Sequence, residues 1–147
     1  MVERTISASP ESVWARYTDH LSWQDWAGLG RVRLDKEGVP SPNGVGCVRV
    51  IGSFGVSVFE EVTEFKVPEK MSYRVVKGGL PIKDHLGEVF FRPNGTATLV
   101  TWRCRFRSKI PGLGWLFRLI ILKVFRDTLE GLQKDLTGDL DPARRGS

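Results

Sequence analysis

The sequence predicts an α+β fold in which antiparallel strands curve against one long C-terminal helix, and three features carry that reading. After Pro111-Gly112, mostly apolar residues recur at helical spacing from Leu113 to Leu136: Leu113, Leu116, Phe117, Ile120, Ile121, Val124, Thr128, Leu129, Leu132 and Leu136. That stripe is about seven turns long at 3.6 residues per turn. From Arg31 up to the Pro-Gly break the period is two, the mark of half-buried strands. Asn94-Gly95, set between two long alternating runs, is the strongest hairpin signal in the chain. One long helix needs one long surface, and a curved antiparallel sheet supplies it.

In chain order, Val2 to Ser7 reads as a first strand. Ser9-Pro10-Glu11 then starts a helix, with Ser as cap, Pro at the first helical position and Glu near the positive end of the dipole. Val13, Trp14 and Tyr17 form its buried side. A second short helix follows, capped by Asp19 or Ser22, with Trp23 and Trp26 on one face and Gly28 and Gly30 ending it. Strands are expected at about 31–36, 46–52, 56–65, 70–77, 83–92 and 96–107. The turns between them hold Pro40-Ser41-Pro42-Asn43-Gly44, Ser53-Phe54-Gly55, Val67-Pro68-Glu69, Gly78-Gly79-Leu80-Pro81 and Pro93-Asn94-Gly95.

Alternation assigns faces, because successive strand residues point to opposite sides of a sheet. In the last strand Thr98, Val100, Trp102, Cys104 and Phe106 should face the long helix, and Arg103, Arg105 and Arg107 should face water. In the strand before it Val89 and Phe91 point inward and take His85 and Gly87 with them. Val48, Val50, Val58 and Val62 suggest inward even positions in the third and fourth strands, which carries Glu60 inward and sends Arg49 outward.

At 147 residues the chain is read as one domain over 1–140 with a short polar tail at 141–147. Its net charge of +5 is small for its length, with acids interspersed almost throughout. The cluster Arg103, Arg105, Arg107 and Lys109 therefore reads as a solvated strand face rather than a phosphate track, and no nucleic-acid partner is expected. Two cysteines, Cys47 and Cys104, are too few for a disulfide scaffold, and no leader-like segment precedes the first strand, so a reduced, cytoplasmic protein is expected. The most apolar stretch, 113–125, is interrupted by Arg118 and Lys123 and is too short for an integral membrane span. Spacing gives no metal site, nucleophile elbow or phosphate-cradling glycine loop, and no cofactor is expected.

Ser9-Pro10-Glu11-Ser12-Val13-Trp14, then Thr18-Asp19 and the Trp23 to Trp26 pair, resemble the opening of the polyketide cyclase/dehydrase-like (SRPBCC) proteins of the START-like, helix-grip superfamily. Gly44-Val45-Gly46-Cys47-Val48-Arg49, Glu60-Glu61-Val62, Pro68-Glu69-Lys70-Met71-Ser72-Tyr73, Gly95-Thr96 and Val100-Thr101-Trp102 follow in matching order. The resemblance covers almost the full chain. It implies a helix-grip fold: a seven-stranded antiparallel sheet wrapped around the C-terminal helix, with two short helices between strands 1 and 2 and an internal cavity for an apolar ligand. Members include lipid and sterol carriers, aromatase/cyclases and hydrolases, so the fold does not choose among them.

Two polar residues are candidates for the interior. His85 with Glu60 offers an acid/base pair for catalysis; the alternative is a partly solvated histidine at a strand start and a structural carboxylate. A carboxylate facing a greasy cavity would have a raised pKa and could hold a polar ligand group. Cavity arginines orient polyketide oxygens in related cyclases, but the outward parity of Arg49 speaks against that role here. The five tryptophans, Trp14, Trp23, Trp26, Trp102 and Trp115, read as core or portal aromatics, with Trp26 near the expected cavity mouth. Ligand contact is expected from Trp26, Val48, Val58, Tyr73, Val89, Phe91, Val100, Trp102, Leu116, Ile120 and Val124.

Three functions follow as alternatives. The first is binding or transport of a hydrophobic small molecule, lipid-like or polyketide-like. The second is an aromatase/cyclase or dehydrase-type enzyme. The third is an interaction module, because Leu119, Leu122 and Phe125 lie off the main stripe and make the first half of the helix apolar over much of its circumference. Such a surface suits a homodimer, a lid or a transient membrane contact, as against a monomer.

Overall fold

The computed structural model describes residues 1–53 and 55–138; the expected tail at 141–147 lies outside them. The chain runs β1 (Val2–Ile6), α1 (Pro10–Thr18), a single 3-10 turn (His20–Ser22), α2 (Trp23–Trp26), β2 (Arg31–Lys36), β3 (Val48–Ser53), β4 (Val56–Lys66), β5 (Lys70–Gly78), β6 (Ile82–Asn94), β7 (Ala97–Ser108) and α3 (Gly114–Thr137). The seven strands form one antiparallel sheet in the order β1-β7-β6-β5-β4-β3-β2. The sheet is not closed, and β1 and β2 are its edges. This is the helix-grip architecture.

The local signals act as expected. Ser9 caps α1 by accepting a hydrogen bond from the Ser12 N–H at 3.2 Å, and Pro10 occupies the first turn. The Asn94-Gly95 turn joins β6 to β7, whose register runs from Asn94 opposite Ala97 to Ile82 opposite Ser108. In β7, Thr98, Val100 and Trp102 are buried while Arg103, Arg105 and Arg107 are exposed, as alternation requires.

The core is densest under α1 and the second half of α3. Trp14 meets Phe65 and Phe91 edge-on at 4.9 and 5.2 Å between ring centres, and Tyr17 meets Phe91 at 5.4 Å. Val89, Val100, Leu129 and Leu132 are wholly buried there. Arg16 donates to both carboxylate oxygens of Asp135 at 2.7 and 3.2 Å, and Arg4 donates to Gln133, which tie α3 to α1 and to β1. Gly131 brings α3 against the Trp26 carbonyl so closely that a methyl group there would overlap it.

The first half of α3 differs from the stripe read off the sequence. Leu116 and Ile120, expected against the sheet, are exposed, as are Trp115 and Leu119. Phe125, expected off the stripe, is buried and stacks on Trp102 at 4.1 Å with the rings 10° from parallel. The helix therefore seats through Phe117, Phe125, Thr128, Leu129 and Leu132, and the face of its first half that carries Trp115, Leu116, Leu119 and Ile120 is open to solvent.

Candidate functional site

β3 and β4 build the polar centre of the molecule. Arg49 and Glu60 are directly opposite across the two strands, so both side chains leave the same face. Arg49 Nε donates to Glu60 Oε1 at 2.9 Å; the arginine is 0% exposed and the Glu60 side chain 13%. Outward parity for Arg49 is thus corrected: Arg49 and Ile51 are the inward set of β3, and Cys47, just before the strand, is buried on the same side. Val48 stands opposite Glu61, and Val50 opposite Arg33 and Phe59, on the outer face.

A buried cation is costly unless something replaces its water. Here three aromatic rings do so, with the Arg49 Cζ lying 4.4 Å from the ring centre of Trp23, 4.8 Å from that of Tyr73 and 6.0 Å from that of Tyr17. Two of the rings are fixed by hydrogen bonds: Trp23 Nε1 donates to the Tyr17 carbonyl at 2.7 Å, and the Tyr73 hydroxyl accepts from Trp102 Nε1 at 2.8 Å. Gly87, opposite Tyr73 on β6, leaves room for the ring, since a Cβ there would overlap its Cζ and Cε1. Burial works against the charged guanidinium, yet the Glu60 carboxylate and the two tyrosines hold the Arg49 pKa above the ordinary arginine value. Burial also pushes the Tyr17 and Tyr73 phenols up. The two terminal guanidinium nitrogens and the Tyr17 hydroxyl make no hydrogen bond among the described residues.

In front of this centre lies a hollow with two adjoining lobes between the sheet and α3. The larger, about 310 Å³, is walled by Trp23, Leu29, Ile51, Trp102 and Phe125 among others. The smaller, about 210 Å³, is walled by Val75, Leu80, Ile82, His85, Ile120 and Ile121 among others. Val58, Glu60, Tyr73, Gly79, Val124 and Phe125 line both. The charged group that opens into an otherwise apolar space is therefore Glu60, and Arg49 stands behind it as counter-ion.

His85 lies on the wall of the smaller lobe, half-buried. Its Nδ1 accepts the Val75 backbone N–H at 3.1 Å, which places the proton of the neutral imidazole on Nε2. Burial lowers its pKa, with Glu60 opposing and Arg49 reinforcing the shift. The ring is thereby held neutral, with Nε2–H as a hydrogen-bond donor.

Of the other residues expected to meet a ligand, Val58, Tyr73, Trp102, Ile120 and Val124 line the hollow. Val89, Phe91 and Val100 belong instead to the close-packed core under α1. Leu116 is on the outer side of α3, and Val48 is on the outer face of the sheet. Trp26 is buried with its Nε1 donating to the Ser22 hydroxyl at 3.0 Å; it is Gly28 and Leu29, just beyond it, that reach the hollow. Strand parity predicts His85 as the one interior histidine, but His20 is fully buried, its Nδ1 3.6 Å from the Cys47 sulfur. Parity misplaces Arg49 because β3 is apolar on both faces. The signal that points to it is Glu60, an inward carboxylate that calls for an inward cation.

The sequence of residues 1–137 matches the family described as "Polyketide cyclase / dehydrase and lipid transport". The chain belongs to that family. No curated protein matches it in sequence. Among solved structures, the polyketide cyclase/dehydrase fold seen here is similar to a protein of Thermobifida fusca, with a TM-score of 0.76 at 21% identity over 91% of this chain and 89% of that one. It is also similar to a protein of Thermus thermophilus, with a TM-score of 0.70 at 21% identity over 95% and 97%. Norcoclaurine synthase from Thalictrum flavum, solved with dopamine and hydroxybenzaldehyde, gives a TM-score of 0.74 at 15% identity over 95% and 86%. At these identities the structural likeness is one of fold.

Proposed function

We propose that this polyketide cyclase/dehydrase-family protein binds a hydrophobic small molecule in the hollow between sheet and α3, with its polar end at Glu60 and His85. The observation that carries the reading is the pairing of an apolar wall with one polar corner. Val58, Ile120, Val124, Phe125 and Trp102 would hold an apolar body, while Glu60 accepts and His85 Nε2–H donates. That pair favours a ligand carrying a carbonyl next to a hydroxyl or amine, on a lipid-like or polyketide-like frame. The size of the hollow supports an occupant, since about 310 Å³ lies at the small end of the range of small-molecule sites.

Turnover of a cyclase or dehydrase type, with His85 and Glu60 as acid and base, has less support. The lone pair on His85 Nδ1 is engaged by the Val75 N–H, so the ring is placed to orient a ligand oxygen rather than to take a proton. Thermal-shift screening and native mass spectrometry against fatty acids, aromatic polyketides and hydroxybenzaldehydes test the binding reading. Stabilisation by hydroxy-carbonyl compounds that is lost in Glu60→Gln and His85→Phe is expected. No shift with any class, or unchanged binding in both variants, refutes it.

A further inference from the structure

We propose that the first half of α3 and the loop before it dock on an anionic lipid bilayer, so that the hollow opens at a membrane surface. Trp115, Leu116, Leu119 and Ile120 share one face of the helix, and all are exposed, Trp115 to 65% and Leu119 to 54%. Ile110 in the preceding loop adds a further exposed apolar side chain. Ile120 also lines the smaller lobe, which makes the patch continuous with the rim of the hollow.

Charge chooses the occupant. Between Val89 and Arg126 the chain carries eight lysines and arginines and no acid, whereas the remainder of the chain is net acidic. Lys109, Arg118 and Lys123 flank the apolar face and are exposed, and Arg105 lines one groove with Trp115, Arg118 and Leu122. The acids paired with members of this run are Glu88, 3.0 Å from Arg103 on the outer face of the sheet, Asp127, 2.6 Å from Lys123, and Asp84, 3.9 Å from Arg107, which leaves Lys109, Arg105 and Arg118 without an acid partner among the described residues. A second copy of the chain on this face would set like charges against each other. An anionic leaflet gains instead, each cation near it strengthening binding about fivefold. A tryptophan at the rim of such a patch suits the headgroup layer, where an indole keeps one edge wet.

Co-sedimentation of the whole chain with phosphatidylcholine vesicles containing about 30% phosphatidylglycerol, against phosphatidylcholine alone, tests the docking. Trp14, Trp23, Trp26 and Trp102 are buried, so loss of iodide quenching on vesicle addition reports Trp115. Binding to the anionic vesicles only is expected, at least about tenfold weaker for Leu119→Asp and for Lys109→Glu with Arg118→Glu, and weakened by salt. No partitioning into anionic vesicles, equal partitioning into phosphatidylcholine, or unchanged binding by Leu119→Asp overturns it. A dimer in sedimentation that Leu119→Asp dissolves, without vesicle binding, assigns the face to a second copy and overturns it too. Ligand-induced thermal shifts measured without vesicles should survive Leu119→Asp, so failure of docking and failure of the binding reading separate cleanly.

Discussion

Replacing Glu60 with alanine isolates the energetics of the polar centre. Arg49 is 0% exposed and its hydrogen bond among the described residues goes to Glu60 at 2.9 Å, so the change strands a cation among aromatic rings. Removing one member of a buried ion pair costs about 3–5 kcal/mol. Because Glu60 borders the hollow and is 13% exposed, water can approach the vacated site, which places the loss near the lower end, about 3 kcal/mol. Replacing both members with apolar residues of similar volume, Arg49→Met with Glu60→Leu, removes the stranded charge and should restore most of that stability, since such swaps are often neutral or stabilising. Urea unfolding of the two single variants and the double variant, with m unchanged, measures the cycle. A Glu60→Ala loss below about 1 kcal/mol, or a double variant as unstable as that single one, would refute the claim that the pair is buried and mutually dependent.

Alanine in place of Gly131 should lower the melting temperature although the same change in an exposed helix gains about 1 kcal/mol, because its Cβ would overlap the Trp26 carbonyl; a rise in the melting temperature would contradict the close seating of α3. Gly87→Ala should cost about 1–3 kcal/mol by displacing the Tyr73 ring and should disturb the Trp102 to Tyr73 hydrogen bond, visible as a change in near-ultraviolet circular dichroism. Burial, reinforced by Arg49, lowers the His20 pKa well below its ordinary value of 6.5, so the unfolded chain binds a proton that the folded chain refuses. Stability should therefore be intact above that pH and fall by up to about 1.4 kcal/mol per unit as pH drops below it; His20→Gln should flatten this slope, and an unchanged slope would place its origin elsewhere.

Much of the fold is legible in the sequence because most segments carry one dominant period. In β7 Arg103, Arg105 and Arg107 share one parity, so Val100 and Trp102 can be assigned inward from the sequence alone, and Val89 and Phe91 set the inward parity of β6 although Leu86 and Phe90 take the other. β3 is different. Val50 is buried on the outer face beneath Phe59 and Arg33, whose guanidinium lies 5.7 Å from the Phe59 ring centre, so an edge of the sheet has a small apolar cluster of its own. With Cys47 and Ile51 on one side and Val48 and Val50 on the other, alternation in β3 carries no sign, and its valines point to the wrong face. The aromatic cage around Arg49 is illegible for another reason: Tyr17, Trp23 and Tyr73 come from α1, α2 and β5, and their convergence is a tertiary fact that no spacing encodes.

The long C-terminal stripe reads in the sequence as a single face, yet α3 does two things. Its second half is held by Leu129 and Leu132, by the Arg16 to Asp135 pair and by the approach of Gly131 to Trp26. Its first half is held chiefly by Phe117 and by the stack of Phe125 on Trp102, with four apolar side chains on the outside and the hollow beneath. Few buried contacts and an exposed apolar face define the segment of a fold that opens at least cost. Ile120 belongs both to the exposed face and to the wall of the smaller lobe, so the open side of α3 runs directly into the hollow. A helix packed on the sheet along its whole length would have satisfied the stripe and left Glu60 with no space to face.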